Sequence, residues 1–139
     1  MSRTVDVLLV EDNPADVRLA KEMLSEIDIK FNITTADDGE KAITMLTQAK
    51  MLPELVLLDL NLPKIGGIEV LRYIRKELGG RRVCVAILTG SLFREDRLRA
   101  QELEADGYFI KPMGVDEMVA VAQSIRELLT HAPSCAGTR

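Results

Sequence analysis

Five short apolar runs recur along the chain with helix-patterned segments between them, and this alternation constrains the fold more than any other feature. The runs are Val5 to Val10, Phe31 to Ala36, Leu55 to Leu58, Val83 to Leu88 and Tyr108 to Ile110. The first, third and fourth are apolar nearly throughout and rich in Val, Leu and Ile, which suits strands covered on both faces in a parallel sheet. The second alternates Phe31, Ile33 and Thr35, as a more peripheral strand does. In the first interval, Asn13 before Pro14 places an N-cap ahead of a proline at the first helical position, and Val17, Ala20, Met23, Leu24 and Ile27 mark one face. A second helix follows the Asp37-Asp38-Gly39 turn with Ala42, Ile43, Leu46 and Ala49. A third carries Ile68, Leu71, Ile74 and Leu78 and is ended by Gly79-Gly80. The fourth, about residues 94–104, is crowded with charge and keeps only a thin stripe of Leu98, Ala100 and Leu103, so it should be solvated and lightly anchored. The fifth, about 115–129, carries Met118, Val119, Ala122, Ile125 and Leu129.

Strands alternating with helices through short connections require right-handed crossovers. The predicted fold is α/β: a flavodoxin-like, doubly wound, five-stranded parallel sheet in the order 2-1-3-4-5, inside a three-layer α/β/α sandwich. At 139 residues the chain is expected to form one domain, placed at residues 1–129, with a flexible tail at 130–139 and without an attached output domain. The rare residues narrow the chemistry. The one histidine, His131, lies in the Pro/Ser/Gly-bearing end of the chain, so Ser-His-Asp hydrolysis, Cys-His nucleophilic catalysis and His-rich zinc sites cannot be assembled. Cys84 reads as a small buried hydrophobe and Cys135 as an exposed free thiol. A net charge of -4 with two tyrosines, three phenylalanines and no tryptophan leaves neither the basic footprint nor the stacking platforms of a nucleic-acid binder. The start of the chain lacks a signal-peptide pattern and no apolar run is long enough to span a bilayer, so a cytoplasmic location without membrane contact is expected.

Ligands of open α/β sheets bind beyond the carboxyl ends of the strands, which makes the residues that end each run the ones to read. The first run ends in Glu11-Asp12, the third in Asp59, the fourth in Thr89-Gly90-Ser91 and the fifth in Lys111-Pro112. Three carboxylates, a hydroxyl and an ammonium therefore converge on one edge. Carboxylates this close repel one another and call for a cation among them. Hard oxygen donors without imidazole or thiolate select Mg²⁺, with Mn²⁺ as the second fit, and Mg²⁺ commonly pairs with phosphate. Any one of these acids alone would be read as a helix cap or turn residue; their convergence carries the argument.

The strings Leu8-Leu9-Val10-Glu11-Asp12-Asn13, Leu57-Leu58-Asp59-Leu60-Asn61-Leu62-Pro63, Ile87-Leu88-Thr89-Gly90 and Gly107-Tyr108-Phe109-Ile110-Lys111-Pro112 resemble the receiver domain of two-component response regulators, over about Val5 to Leu129. The resemblance is to the stand-alone, single-domain type. The runs at 16–19 and 59–63 are similar to regulators paired with bacteriophytochrome-type kinases. It implies that Asp59 accepts a phosphoryl group from a sensor histidine kinase. Glu11, Asp12, Asp59 and the backbone carbonyl of Asn61 would hold Mg²⁺. Thr89, Gly90 and Lys111 would bind the phosphoryl oxygens, and Thr89 and Tyr108 would form the switch, Tyr108 filling space that Thr89 vacates. The Lys111–Pro112 peptide bond would be cis. The protein would catalyse its own phosphorylation and slow dephosphorylation and alter its binding of a downstream protein. The face of the fourth helix, fifth strand and fifth helix would serve partners, a second copy of the chain among them. The sequence departs from the commoner family pattern at Glu11, Gly90 and Met113, none of which removes a reacting group.

Other readings are a phosphate shuttle or sink within a relay and, more remotely, an aspartate-nucleophile phosphohydrolase. The hydrolase chemistry needs a second acid two residues after the nucleophile, where this chain has Asn61. A flavin carrier of the same topology would meet repulsion between its phosphate and Glu11-Asp12. Neither G-x-G-x-x-G nor G-x-x-x-x-G-K-[ST] occurs, which disfavours nucleotide binding.

Overall fold

The computed structural model describes residues 4–78 and 83–131. Five strands alternate with five helices: β1 (Thr4–Val10), α1 (Pro14–Ser25), β2 (Lys30–Ala36), α2 (Gly39–Gln48), β3 (Leu55–Leu58), α3 (Gly67–Glu77), β4 (Cys84–Thr89), α4 (Arg94–Glu102), β5 (Gly107–Ile110) and α5 (Val115–His131). The strands pair in parallel in the order β2-β1-β3-β4-β5, as the alternation predicts.

The period of two along each strand divides the apolar residues between two cores. Val5, Val7 and Leu9 of β1, Leu55 and Leu57 of β3, and Ala86 and Leu88 of β4 pack against Ala20, Met23 and Leu24 of α1 and Ala122, Ile125 and Leu129 of α5. Leu8, Val10, Val56, Leu58, Val85 and Ile87 point the other way. They pack against Ala42 and Leu46 of α2, Val70, Leu71 and Ile74 of α3, and Ala100 of α4. β3 and β4 are buried along their whole length, whereas edge strand β2 is half exposed.

The helix starts follow their local chemistry. The Asn13 side chain accepts from the backbone N–H groups of Ala15 (2.8 Å) and Asp16 (3.2 Å), and Pro14 needs no partner there. Asp38 caps α2 through Lys41 N–H (2.7 Å). α4 is lightly anchored, as expected, burying only Ala100 with Leu103 packed beside it; Leu98, expected in the same stripe, is instead 44% exposed.

Some expectations shift. In α3 Val70, which the expected face lacked, joins Leu71 and Ile74 in the buried core, while Ile68 and Leu78 pack partly buried against it. Helix α5 continues to His131, two residues beyond the expected limit at Leu129. Cys84 is buried as expected, but as a disulfide-bonded residue and not as a thiol. The Gly79-Gly80 terminator, Cys135 and the tail from 132 lie outside the described residues. Among the described residues no helix is long and apolar enough to cross a membrane.

Candidate functional site at the carboxyl edge of the sheet

Strand register assembles the site. Val10 lies beside Ala36 on one side and Leu58 on the other, so Glu11 and Asp59, the next residues in their chains, become neighbours. Backbone bonds extend the ladder into them: Glu11 N–H donates to Ala36 O (3.0 Å) and Asp59 N–H to Val10 O (3.1 Å). On the other side of β3, Thr89 pairs with Ile110, and Lys111 N–H donates to Thr89 O (2.9 Å). The five residues expected at this edge are therefore together.

Glu11 and Asp59 are each only 4% exposed, whereas Asp12 faces solvent. One carboxylate oxygen from each of Glu11, Asp12 and Asp59 lies within 4.8 Å of the other two, a spacing that fits a hard cation between them. The Lys111 ammonium sits against the same group. Its Nζ is 2.9 Å from Glu11 Oε1, 3.1 Å from Asp59 Oδ2 and 2.8 Å from Asp16 Oδ2. Burial pushes the Glu11 carboxyl above its ordinary range, opposed by the Lys111 hydrogen bond and reinforced by the Asp59 charge. For Lys111, burial works against the ammonium. The bonds to Asp16 and Glu11 and the charge of Asp59 outweigh it and hold the pKa above the usual lysine range.

Around this charged centre, Thr89 is fully buried and its Oγ1 accepts from Ser91 N–H (3.2 Å). A Cβ at Gly90, which is exposed, would meet nothing within 4 Å. Asn61 approaches Asp59 through its backbone N–H, 3.4 Å from Oδ1. Tyr108, half-buried, donates its hydroxyl to Ser91 O (3.4 Å), and the Arg97 guanidinium lies over its ring at 5.1 Å. Burial raises the Tyr108 phenol above its usual range. Pro112 is buried, but the Lys111–Pro112 bond is not cis: the described residues contain no cis peptide bond. The trans amide is the intrinsically favoured form, and Lys111 reaches all three carboxylates from it.

Three residues contribute in ways the sequence did not reveal. Asp16, in the first turn of α1, reads locally as an acid suited to a helix N-terminus, with nothing to tie it to a lysine 95 positions away. Ser91 joins Thr89, Tyr108 and α4: besides the bonds above, its Oγ donates to Asp96 Oδ2 (2.5 Å) and accepts from Phe93 N–H (3.3 Å). Gly67 touches the backbone of Asp59 itself. A Cβ there would lie 2.2 Å from Asp59 O and 2.6 Å from Leu60 Cα, so only glycine lets α3 start this close.

The family model described as "Response regulator receiver domain" matches residues 7–123. The chain belongs to this family. It is 36% identical over 124 residues to the response regulator Rcp1 of Synechocystis sp. (strain ATCC 27184 / PCC 6803 / Kazusa), covering 86% of this chain and 84% of Rcp1. The Mn²⁺-bound form of Rcp1 superposes with a TM-score of 0.78, at 33% identity over 92% of this chain and 96% of that one. The phosphorylated cyanobacterial phytochrome response regulator RcpA gives a TM-score of 0.81, at 32% identity over 92% and 95% of the two chains. The bacteriophytochrome response regulator RtBRR gives 0.73, at 29% identity over 88% and 78%. The chain is thus a receiver domain of two-component signalling, with phytochrome-associated regulators among its relatives.

Proposed function

We propose that Asp59 is the phosphoacceptor and that this receiver takes its phosphoryl group from a sensor histidine kinase, of the phytochrome-associated kind in view of RcpA and RtBRR. The observation that carries the reading is the placement of a buried carboxylate at the end of the central strand, 3.1 Å from a lysine and grouped with two further carboxylates. In the transfer, an Asp59 carboxylate oxygen attacks phosphorus and forms the new P–O bond. The P–N bond to the kinase imidazole breaks, its electron pair staying on nitrogen, and the product is an acyl phosphate. Lys111 meets the phosphoryl oxygens with its ammonium, and Thr89 donates its hydroxyl to one of them. Glu11, Asp12, Asp59 and the Asn61 carbonyl would hold Mg²⁺, or Mn²⁺ as in the bound form of Rcp1. The oxygen-only donor set and the 4.8 Å grouping of the three carboxylates fit such an ion, which would supply positive charge to the phosphoryl oxygens.

The phosphorylated domain reads out through Thr89 and Tyr108 to a downstream protein, and it catalyses its own slow dephosphorylation. Docking uses the α4–β5–α5 face, where Leu98, Val115 and Val119 are exposed beside the charges of α4, and a second copy of the chain is one partner that fits it. The protein acts in the cytoplasm, where kinase donors are phosphorylated, and folds as a domain over 1–129. The test is labelling with acetyl phosphate and Mg²⁺ followed by peptide mass analysis. The added mass should map to Asp59 and disappear in Asp59→Asn; equal labelling of that variant would end the assignment.

A further inference from the structure

An ammonium has three N–H donors, and on Lys111 all three are engaged: Glu11 Oε1 at 2.9 Å, Asp59 Oδ2 at 3.1 Å and Asp16 Oδ2 at 2.8 Å. Two of these acceptors belong to the carboxylate group that fits a cation, and one of those two is the phosphoacceptor. Asp16 does not belong to that group. It comes from a different element, the first turn of α1, and its own backbone is fixed there by the Asn13 cap at 3.2 Å. Its contact with Lys111 therefore competes neither with metal ligation nor with the bond that forms on Asp59. It is also the shortest of the three.

We propose that Asp16 is a positioning residue for phosphoryl transfer: it holds Lys111 Nζ from the α1 side, so that the ammonium stays aimed at the Asp59 carboxylate while its other partners are drawn to other work. A lysine reaches its partner through four flexible methylenes, and a strong fixed acceptor removes much of that freedom before reaction. The inference rests on Asp59 as the acceptor but assigns a role to a carboxylate that the transfer itself does not use. Charge and position can be separated by substitution. Asp16→Asn and Asp16→Ala remove the same charge and the same favourable helix-end interaction, but only asparagine keeps an oxygen for the ammonium.

The experiment measures Asp59 phosphorylation by acetyl phosphate, each variant being assayed at a Mg²⁺ concentration that titration shows to be saturating. Asp16→Ala should react on the order of tenfold more slowly, the loss typical of residues that orient a reacting group through one contact, and Asp16→Asn should recover most of that rate. A second readout needs neither metal nor turnover: the ¹⁵N-detected Lys111 ammonium signal in metal-free protein. It should persist in wild type and Asp16→Asn and be lost to fast proton exchange in Asp16→Ala. Equal rates in all three proteins, or equal changes in both variants, would overturn the proposal, the latter because charge alone would then explain the effect. An undisturbed Lys111 signal in Asp16→Ala would overturn it as well. Failure of the phosphoacceptor reading looks different, since wild type would then carry no label on Asp59 while the metal-free readout would still report on Asp16.

Discussion

Replacing Lys111 by methionine tests whether the site is held together by charge compensation, because methionine keeps most of the aliphatic volume and removes only the ammonium. In wild type that ammonium is 18% exposed and faces Glu11 and Asp59, whose side chains are 4% and 5% exposed. Removing one partner of a buried ion pair typically costs 3–5 kcal/mol, because the other charge is left without compensation. Two features bring the estimate to the lower end. Burial already raises the Glu11 pKa, so Glu11 can take a proton, and Asp12 faces water. The expected loss is about 3 kcal/mol, which for a domain of this size lowers the melting temperature by on the order of 10 °C. The raised Lys111 pKa fixes the pH window: its contribution is complete below the ordinary lysine value of 10.5 and is lost only as pH rises through the folded value, so measurement at pH 7 captures it whole. Mg²⁺ should offset much of the loss, since a ligand at 100 times its Kd stabilises by about 2.7 kcal/mol. The assay is urea or thermal denaturation with and without Mg²⁺. A metal-free Lys111→Met protein as stable as wild type would refute the compensation argument, and so would a variant that gains nothing from Mg²⁺.

The raised Glu11 pKa has the opposite consequence. The protonated form is favoured by folding, so its contribution is present below the ordinary value of 4.5 and lost as pH rises through the folded value. Glu11→Gln should therefore raise the metal-free urea midpoint at pH 7, with the gain shrinking toward pH 4.5, while weakening Mg²⁺ binding in a titration. Gly67→Ala should cost about 1–3 kcal/mol in urea denaturation because its Cβ meets Asp59 O at 2.2 Å, whereas Gly90→Ala, with open space, should stay within about 0.5 kcal/mol. Thr89→Ala should still be labelled on Asp59 but should lose most of the Tyr108 NMR shift change that beryllofluoride produces in wild type.

What the sequence made legible follows from the geometry of parallel sheets. When every strand runs the same way, the residue after each apolar run reaches the same edge, so Glu11, Asp59, Thr89 and Lys111 could be grouped without knowing any side-chain contact. The continuous apolar runs likewise marked the strands covered on both faces, and the alternation of Phe31, Ile33 and Thr35 marked the peripheral one. What was hidden depends on side chains or backbone crossing between elements. Asp16 enters the site because a long lysine reaches toward α1, and no local pattern records that reach. Gly67 matters because α3 starts against Asp59 O, a distance visible only once both segments are placed. Val70 escaped the expected face because its burial depends on where α3 starts, and a start without a capping side chain is poorly marked: Gly66 caps α3 with no side-chain bond. The cis expectation at Pro112 came from resemblance and not from these residues, and it is the part that the structure corrects.

The structure also offers a bonded route between Thr89, Tyr108 and the surface. Thr89 shares its strand face with Ile87, and Ile87 pairs with Tyr108, so the hydroxyl and the ring lie on the α4 side of the sheet within two residues of register. Ser91 stands between them. Its N–H holds Thr89 Oγ1, its carbonyl holds the Tyr108 hydroxyl, and its side chain holds Asp96 in the first turn of α4. On the proposed switch, a Thr89 hydroxyl drawn toward Asp59 would pull on the residue that fixes both Tyr108 and α4, so the change would travel through bonds as well as through space. The energies are matched. A charge-assisted bond from Thr89 to a phosphoryl oxygen contributes roughly 1.5–3 kcal/mol, more than the 3.2 and 3.4 Å neutral bonds it strains, and 1.4 kcal/mol already shifts a two-state population tenfold. Anchoring would decide where that energy produces movement: α3 buries Gly67, Val70, Leu71 and Ile74, whereas α4 buries Ala100 alone and is the helix expected to yield.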